Sequence, residues 1–96
     1  MFESRRTWSP EEIQQVWNKA TTVSGNDPSA FRKDQCGAWI ERNRHGSRES
    51  AFGWEIHHID GNPNNDALSN LAPLQWENNA SGRCAVTSSG DKNVRS

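Results

Sequence analysis

Residues 55–79 read EIHHIDGNPNNDALSNLAPLQWENN. Two adjacent histidines, His57 and His58, open the stretch, Asn70 follows the second by twelve residues, and Asn79 comes nine residues later. The histidines lie in WEIHHI (54–59), whose spacing predicts a strand with Trp54, Ile56 and His58 on one face and Glu55, His57 and Ile59 on the other. DGNPNND (60–66) is the densest turn signal in the chain, because Asn, Asp and Gly tolerate left-handed backbone and Pro63 fixes its own φ. A second, shorter helix is predicted from about Pro73 to Ser81, anchored by Leu71, Leu74 and Trp76 and ended by Gly82 as a left-handed cap.

Upstream, Ser9 is a good N-cap, Pro10 suits the first helical turn, Glu12 completes a capping box, and Trp8 can staple against Ile13. Ile13, Val16, Trp17 and Ala20 then recur at helical spacing, which predicts a helix from residue 10 to about 21. Gly25, Asn26, Asp27 and Pro28 mark a turn. In 31–40, Cys36, Ala38 and Ile40 alternate with Gly37 and Trp39, a short strand pattern. The polar stretch 41–53 reads as the loop of a long hairpin that returns through 54–59. Residues 1–7 read as a frayed start, and 85–96 lack periodicity and are expected to be a disordered tail. The organisation expected is a helical segment over 1–30, a mixed domain over 31–84 and the tail, and the fold class is α+β.

The chain has 96 residues, 31% of them hydrophobic, with a mean hydropathy of −1.02. One domain with a small core follows, its apolar area concentrated in five Trp and three Phe. Net charge is −1, so bulk electrostatics announce no polyanion. Arg42, Arg44, Arg48 and His45 nevertheless cluster within seven residues, and a local basic loop of this kind can contact phosphates. Neither Cys36 nor Cys84 belongs to a CxxC pair, which excludes a four-cysteine zinc site; both are expected as free thiols, with a single disulfide left open. The start, MFESRRTWS, has no apolar signal region, and no run reaches the length of a membrane span. A cytoplasmic protein is the expectation.

Hydrolysis of a phosphodiester requires that water lose a proton near neutral pH and that negative charge be stabilised on the phosphoryl and leaving oxygens. Histidine is the natural general base, and a divalent cation supplies the charge stabilisation. His57 and His58 can divide these roles, provided that the strand ends or bulges there, since strand neighbours otherwise point apart. An amide oxygen from Asn70 can fix an imidazole tautomer. Asn79 can give the cation a second ligand from the helix.

The pieces GWEIHHIDGN, SNLAPLQW and ENN together resemble the HNH endonuclease superfamily, over roughly Cys36 to Gly82. The resemblance implies a ββα-metal fold with the N-terminal helix packed against it, and a divalent-metal-dependent DNA endonuclease. It implies that His58 is the general base, that Asn70 orients the base or its loop, and that His57 and Asn79 bind the metal. His57 stands where the family often has Asp. A softer, neutral ligand there favours Mn²⁺, Ni²⁺ or Zn²⁺ over Mg²⁺. Arg42, Arg44, Arg48 and Arg83 are the expected nucleic-acid contacts, Arg83 coming later than the basic residue that many members carry after the final Asn. The zinc-knuckle cysteines of many relatives are missing. DNA is the expected partner, RNA is chemically possible, and a homodimer or protein partner is compatible with one site per chain. A non-cleaving DNA-binding or partner-dependent module on the same scaffold is the alternative.

Overall fold

The computed structural model describes residues 7–87. The elements run α1 (Pro10–Trp17), β1 (Phe31–Lys33), β2 (Trp39–Glu41), β3 (Trp54–His58), β4 (Leu71–Gln75) and α2 (Trp76–Ser81), with short 3₁₀ turns at Arg42–Arg44 and Leu68–Asn70. The fold is α+β, as expected, built among the described residues from two helices and two small antiparallel sheets, β1–β2 and β3–β4.

Helix α1 begins as its sequence predicts. Ser9 Oγ accepts from Glu12 N–H, and Glu12 Oε1 accepts from Ser9 N–H, so two orphan donors are satisfied reciprocally. The helix ends at Trp17 rather than near residue 21. The backbone then leaves the helix because Thr21 exchanges both hydrogen bonds with Lys33, at 2.8 and 2.9 Å. The Lys19 ammonium ties this end of α1 to the carbonyls of Leu68 and Leu71.

The strand pairing also departs from expectation. Trp39–Glu41 pairs backwards onto Phe31–Lys33 and makes no ladder with Trp54–His58. Asp34 causes the early reversal. Its Oδ1 accepts from the N–H groups of Cys36 and Ala38, which closes the turn between β1 and β2. Between β2 and the start of β3 the backbone bonds are isolated, such as Glu41 N–H to the Phe52 carbonyl. Gly53 is required at that crossing: a Cβ there would lie 1.8 Å from the Ser47 carbonyl oxygen.

The partner of β3 is Leu71–Gln75, with His57 opposite Ala72 and His58 opposite Leu71. The predicted second helix therefore starts three residues late, at Trp76, and its first part is strand. Pro73 fits because of register. Ile59 N–H bonds to the Asn70 carbonyl and Trp76 N–H to Gly53, so by alternation Pro73 falls in a non-hydrogen-bonded pair and its missing N–H faces away from β3. Gln75 ends the strand and caps the helix at once. Its side-chain oxygen accepts from the N–H groups of Glu77 and Asn78, and Gly82 closes α2 at φ 71°.

The core gathers Val16, Trp17, Ala20, Ile40, Trp54, Ile56 and Leu71. Trp17 and Trp54 are fully buried with ring centroids 5.3 Å apart. Each also places its indole N–H on a carbonyl, Pro28 for Trp17 and Arg42 for Trp54, as a buried Trp requires.

A second, polar knot joins the two sheets. Asp34 Oδ2 accepts from Gln75 N–H and from Asn78 Nδ2, and Asn78 also pairs with both backbone groups of Val86. Beside it, Cys36 and Cys84 form a disulfide, which corrects the expectation of free thiols. Sequence spacing could not pair them, since 48 residues separate them and only the turn at Asp34 brings them together. The tail expected over 85–96 is tied down at Val86; its residues 88–96, and residues 1–6 of the frayed start expected over 1–7, lie outside the described residues. Among the described residues no helix is long and apolar enough to cross a membrane.

Candidate active site

Strand β3 stops at His58, and the chain turns at once, with Gly61 N–H bonded to the His58 carbonyl. Neighbouring strand residues normally diverge. At this strand end His57 and His58 instead line one cavity of about 310 Å³, together with Asn79, Trp8, Ile56, Gly61 and Pro63. Three segments thus meet: β3 supplies the histidines, α2 supplies Asn79, and the entry to α1, one residue before its N-cap, supplies Trp8.

His57 Nδ1 and Asn79 Oδ1 stand 3.2 Å apart. The amide is held in that orientation from behind, because Asn79 Nδ2 donates to Glu55 Oε1 at 2.9 Å. A carboxylate can only accept, so the Asn79 oxygen must face the imidazole. Glu55 is fixed in turn by Arg48, whose guanidinium donates to both carboxylate oxygens at 2.6 and 2.9 Å. Burial alone would raise the Glu55 carboxyl, but the hydrogen bonds from Arg48 and Asn79 and the charge of Arg48 together hold it below the usual carboxylate range. Glu55 precedes His57 by two residues and shares its strand face, which is why one side chain on α2 can touch both.

The spacing of the two donor atoms bears on a cation. Two ligands at about 2.1 Å on adjacent octahedral positions lie ~3 Å apart, close to the 3.2 Å seen. In the present pairing Nδ1–H donates to the amide oxygen; with the proton on Nε2 the two lone pairs converge. These two residues fit one divalent ion as a partial shell. Among the described residues no group of three or more His, Cys, Asp and Glu is gathered to complete a protein cage.

His58 meets a carboxylate, and of the two roles expected of Asn70, on the base or on its loop, the bonds of Asn70 fall on the loop. His58 Nε2 lies 2.8 Å from Asp66 Oδ1, and the side chain is 13% exposed. Asn70 makes no bond to the imidazole. Its Oδ1 accepts from Asp60 N–H, and its Nδ2 donates to Asp60 Oδ1 and to the Asn65 carbonyl. Asn70 is buried and pins the 60–65 loop; the bond to the base comes from Asp66, which sequence reading passed over. An Asx-turn series, Asn62 N–H to Asp60 and Asn64 N–H to Asn62, carries the loop round so that Asp66 returns to the strand end. Hydrogen bonds from Asn65, Asn62 and Asn70 hold the Asp60 carboxyl below its ordinary value. The available signal for Asp66 was a carboxylate eight residues after a histidine, across a turn of Asn and Asp.

Three of the four arginines expected to meet phosphate are engaged within the chain. Arg42 Nε donates to Gln14 and Arg44 Nε to Glu41. Arg48 holds Glu55 and lies over the Trp76 ring at 5.6 Å. Arg83 is exposed just beyond α2. Among the described residues that line the cavity, none is an arginine.

In comparisons with known proteins, no family model, no curated protein and no solved structure matches the chain.

Proposed function

We propose that the chain is a divalent-metal-dependent endonuclease of the HNH type, hydrolysing phosphodiester bonds in DNA. One observation carries the reading: the paired donors of His57 and Asn79 share a cavity with His58, a second imidazole oriented by a carboxylate. The order β3–β4–α2, with the donor pair on the first strand and the following helix, supports the ββα-metal assignment.

His57 and Asn79 would hold the cation, which supplies Lewis-acid stabilisation of the charge that builds on the phosphoryl and leaving oxygens. Water and substrate oxygens would have to complete its shell. His58 takes the proton from the attacking water. With Nε2–H held by Asp66, Nδ1 is the nitrogen that carries the free lone pair. Asp66 also stabilises the imidazolium once the proton has moved. Attack at phosphorus in line with the 3′ oxygen leaves 5′-phosphate and 3′-hydroxyl ends. One such site cuts one strand, so a double-strand break requires a dimer or two encounters. RNA presents the same phosphodiester, and the cavity chemistry accepts either sugar.

A plasmid-nicking assay across Mg²⁺, Mn²⁺, Ni²⁺ and Zn²⁺ tests this, with His58→Ala as control. Metal-dependent nicking that disappears in the variant is expected. Nicking indifferent to His58→Ala would sink the mechanism.

The engagement of Arg42, Arg44 and Arg48 by Gln14, Glu41 and Glu55 favours a second reading, a non-cleaving or partner-dependent module. Salt-dependent DNA binding without cleavage by any metal would support it.

A further inference from the structure

Resting on the phosphodiesterase reading, we infer that Trp8 makes the cavity a site for an unpaired nucleotide, its ring stacking the base beside the scissile phosphate. The cavity lining is mixed. His57, His58 and Asn79 give it polar groups suited to a phosphodiester, and Trp8, Ile56 and Pro63 give it apolar surface. The Trp8 and His58 ring centroids are 5.8 Å apart, so a base against the indole has its own phosphate within reach of the imidazole. Trp8 is held for this task. It directly precedes the capping box of α1, whose reciprocal bonds at Ser9 and Glu12 fix the chain direction there, and it packs on the core edge.

Volume and charge point to the same substrate. About 310 Å³ is at the low end of ligand pockets, which run from ~300 to 1,000 Å³, and has room for one nucleotide. In a duplex the base face is covered by its neighbours and must be flipped out before it can stack elsewhere. A duplex binder compensates with many phosphate contacts, whereas here Arg32, Arg42, Arg44 and Arg48 each bond within the chain. Stacking on an aromatic platform needs no such array, and any base can take part. Single-stranded or unpaired segments are therefore the substrate class.

Fluorescence anisotropy with a labelled single-stranded DNA oligonucleotide and its duplex, in Mn²⁺ and separately in chelator, tests the inference. Trp8→Leu and Trp8→Phe are compared with the native protein, and thermal melts confirm that each variant is folded. Tighter binding of the single strand is expected, with Trp8→Leu weakening it roughly 5- to 150-fold and Trp8→Phe keeping most of it. Equal or tighter binding of the duplex, no binding of either strand form, or a Trp8→Leu variant that binds as the native protein does would overturn the inference. The expected binding pattern without cleavage by any divalent metal would support the stacking role while removing the nuclease reading, so the two fail separately.

Discussion

The Glu55 carboxylate accepts the Asn79 side-chain N–H at 2.9 Å, and the oxygen of that same amide faces His57 Nδ1 at 3.2 Å. The orientation of a candidate metal ligand on α2 is thus set by a carboxylate on β3 that is not itself a ligand. Arg48 sets Glu55 in turn, so a residue expected to meet phosphate serves the geometry of the site instead.

Glu55→Leu, which removes the acceptor that Asn79 Nδ2 meets, should separate geometry from stability. The Arg48–Glu55 pair has side chains 49% and 19% exposed, and pairs in water contribute at most about 1 kcal/mol. Removing the partner that orients a ligand typically lowers metal affinity by about 10- to 100-fold. Calorimetric titration with Mn²⁺ or Ni²⁺ should show that loss while urea unfolding moves little. Unaltered affinity would mean that Asn79 is oriented without Glu55.

Asp66 acts through His58, so its removal should be partial and non-additive. His58→Ala should lower the cleavage rate by about 10²- to 10⁴-fold, the usual contribution of a general base. Asp66→Asn should reduce kcat by less and leave KM near its native value. The double variant should be no slower than His58→Ala alone. Additive losses in single-turnover assays would place Asp66 outside this dyad.

The Cys36–Cys84 disulfide closes a loop of 48 residues. In the chain-entropy account such a loop stabilises by up to ~4 kcal/mol. Cys84→Ser, or addition of reductant, should lower Tm by more than about 10 °C, since a domain of this size shifts ~4–8 °C per kcal/mol. A cytosol that keeps thiols reduced would remove the link, and the oxidation state of protein isolated from cells under thiol-trapping conditions reports which form is present.

Asp34 is 3% exposed and receives four hydrogen bonds, from Cys36, Ala38, Gln75 and Asn78. Asp34→Ala strands those donors in the interior, each at a cost of about 1–3 kcal/mol. A loss of at least ~3 kcal/mol by urea unfolding is expected. A loss below ~1 kcal/mol would show that water replaces the carboxylate.

His45 gives the fold an acid-sensitive component. Burial, reinforced by the charge of Arg42 and opposed by Glu55, holds its imidazole below the ordinary value of 6.5. The unfolded chain therefore binds this proton at higher pH than the native protein does. The stabilisation is fully present above the unfolded value and is lost as pH falls through the native one. Urea midpoints should decline on acidification from neutral pH, and His45→Gln should remove that part of the slope. An identical decline in the variant would assign it to other groups.

Local chemistry was legible in the sequence. Ser9, Pro10 and Glu12 announce the start of α1, and Gly82 announces the end of α2, because a cap is satisfied by residues within one turn of it. WEIHHI reads as a strand because period-2 alternation is local. Pairing was less accessible. Nothing near residue 40 says that β2 folds back on β1, since that depends on Asp34 closing a turn and then reaching Gln75 across the molecule. Pro73–Gln75 reads as helix because the residues of LAPLQ are buried on both faces, which erases alternation, and because Pro73 is tolerated only in the register that β3 imposes.

By itself the sequence determined the α+β class, the helix caps, and which residues could carry proton and metal chemistry, because these rest on residue type and short spacing. Tertiary structure alone decided that Asp66 rather than Asn70 meets His58, that Glu55 aims Asn79, that Trp8 walls the cavity, and that Cys36 finds Cys84. Each of those contacts joins residues from different elements, or across an eight-residue loop. They exist only once burial of Trp17 and Trp54 has brought the elements together, which no local pattern encodes.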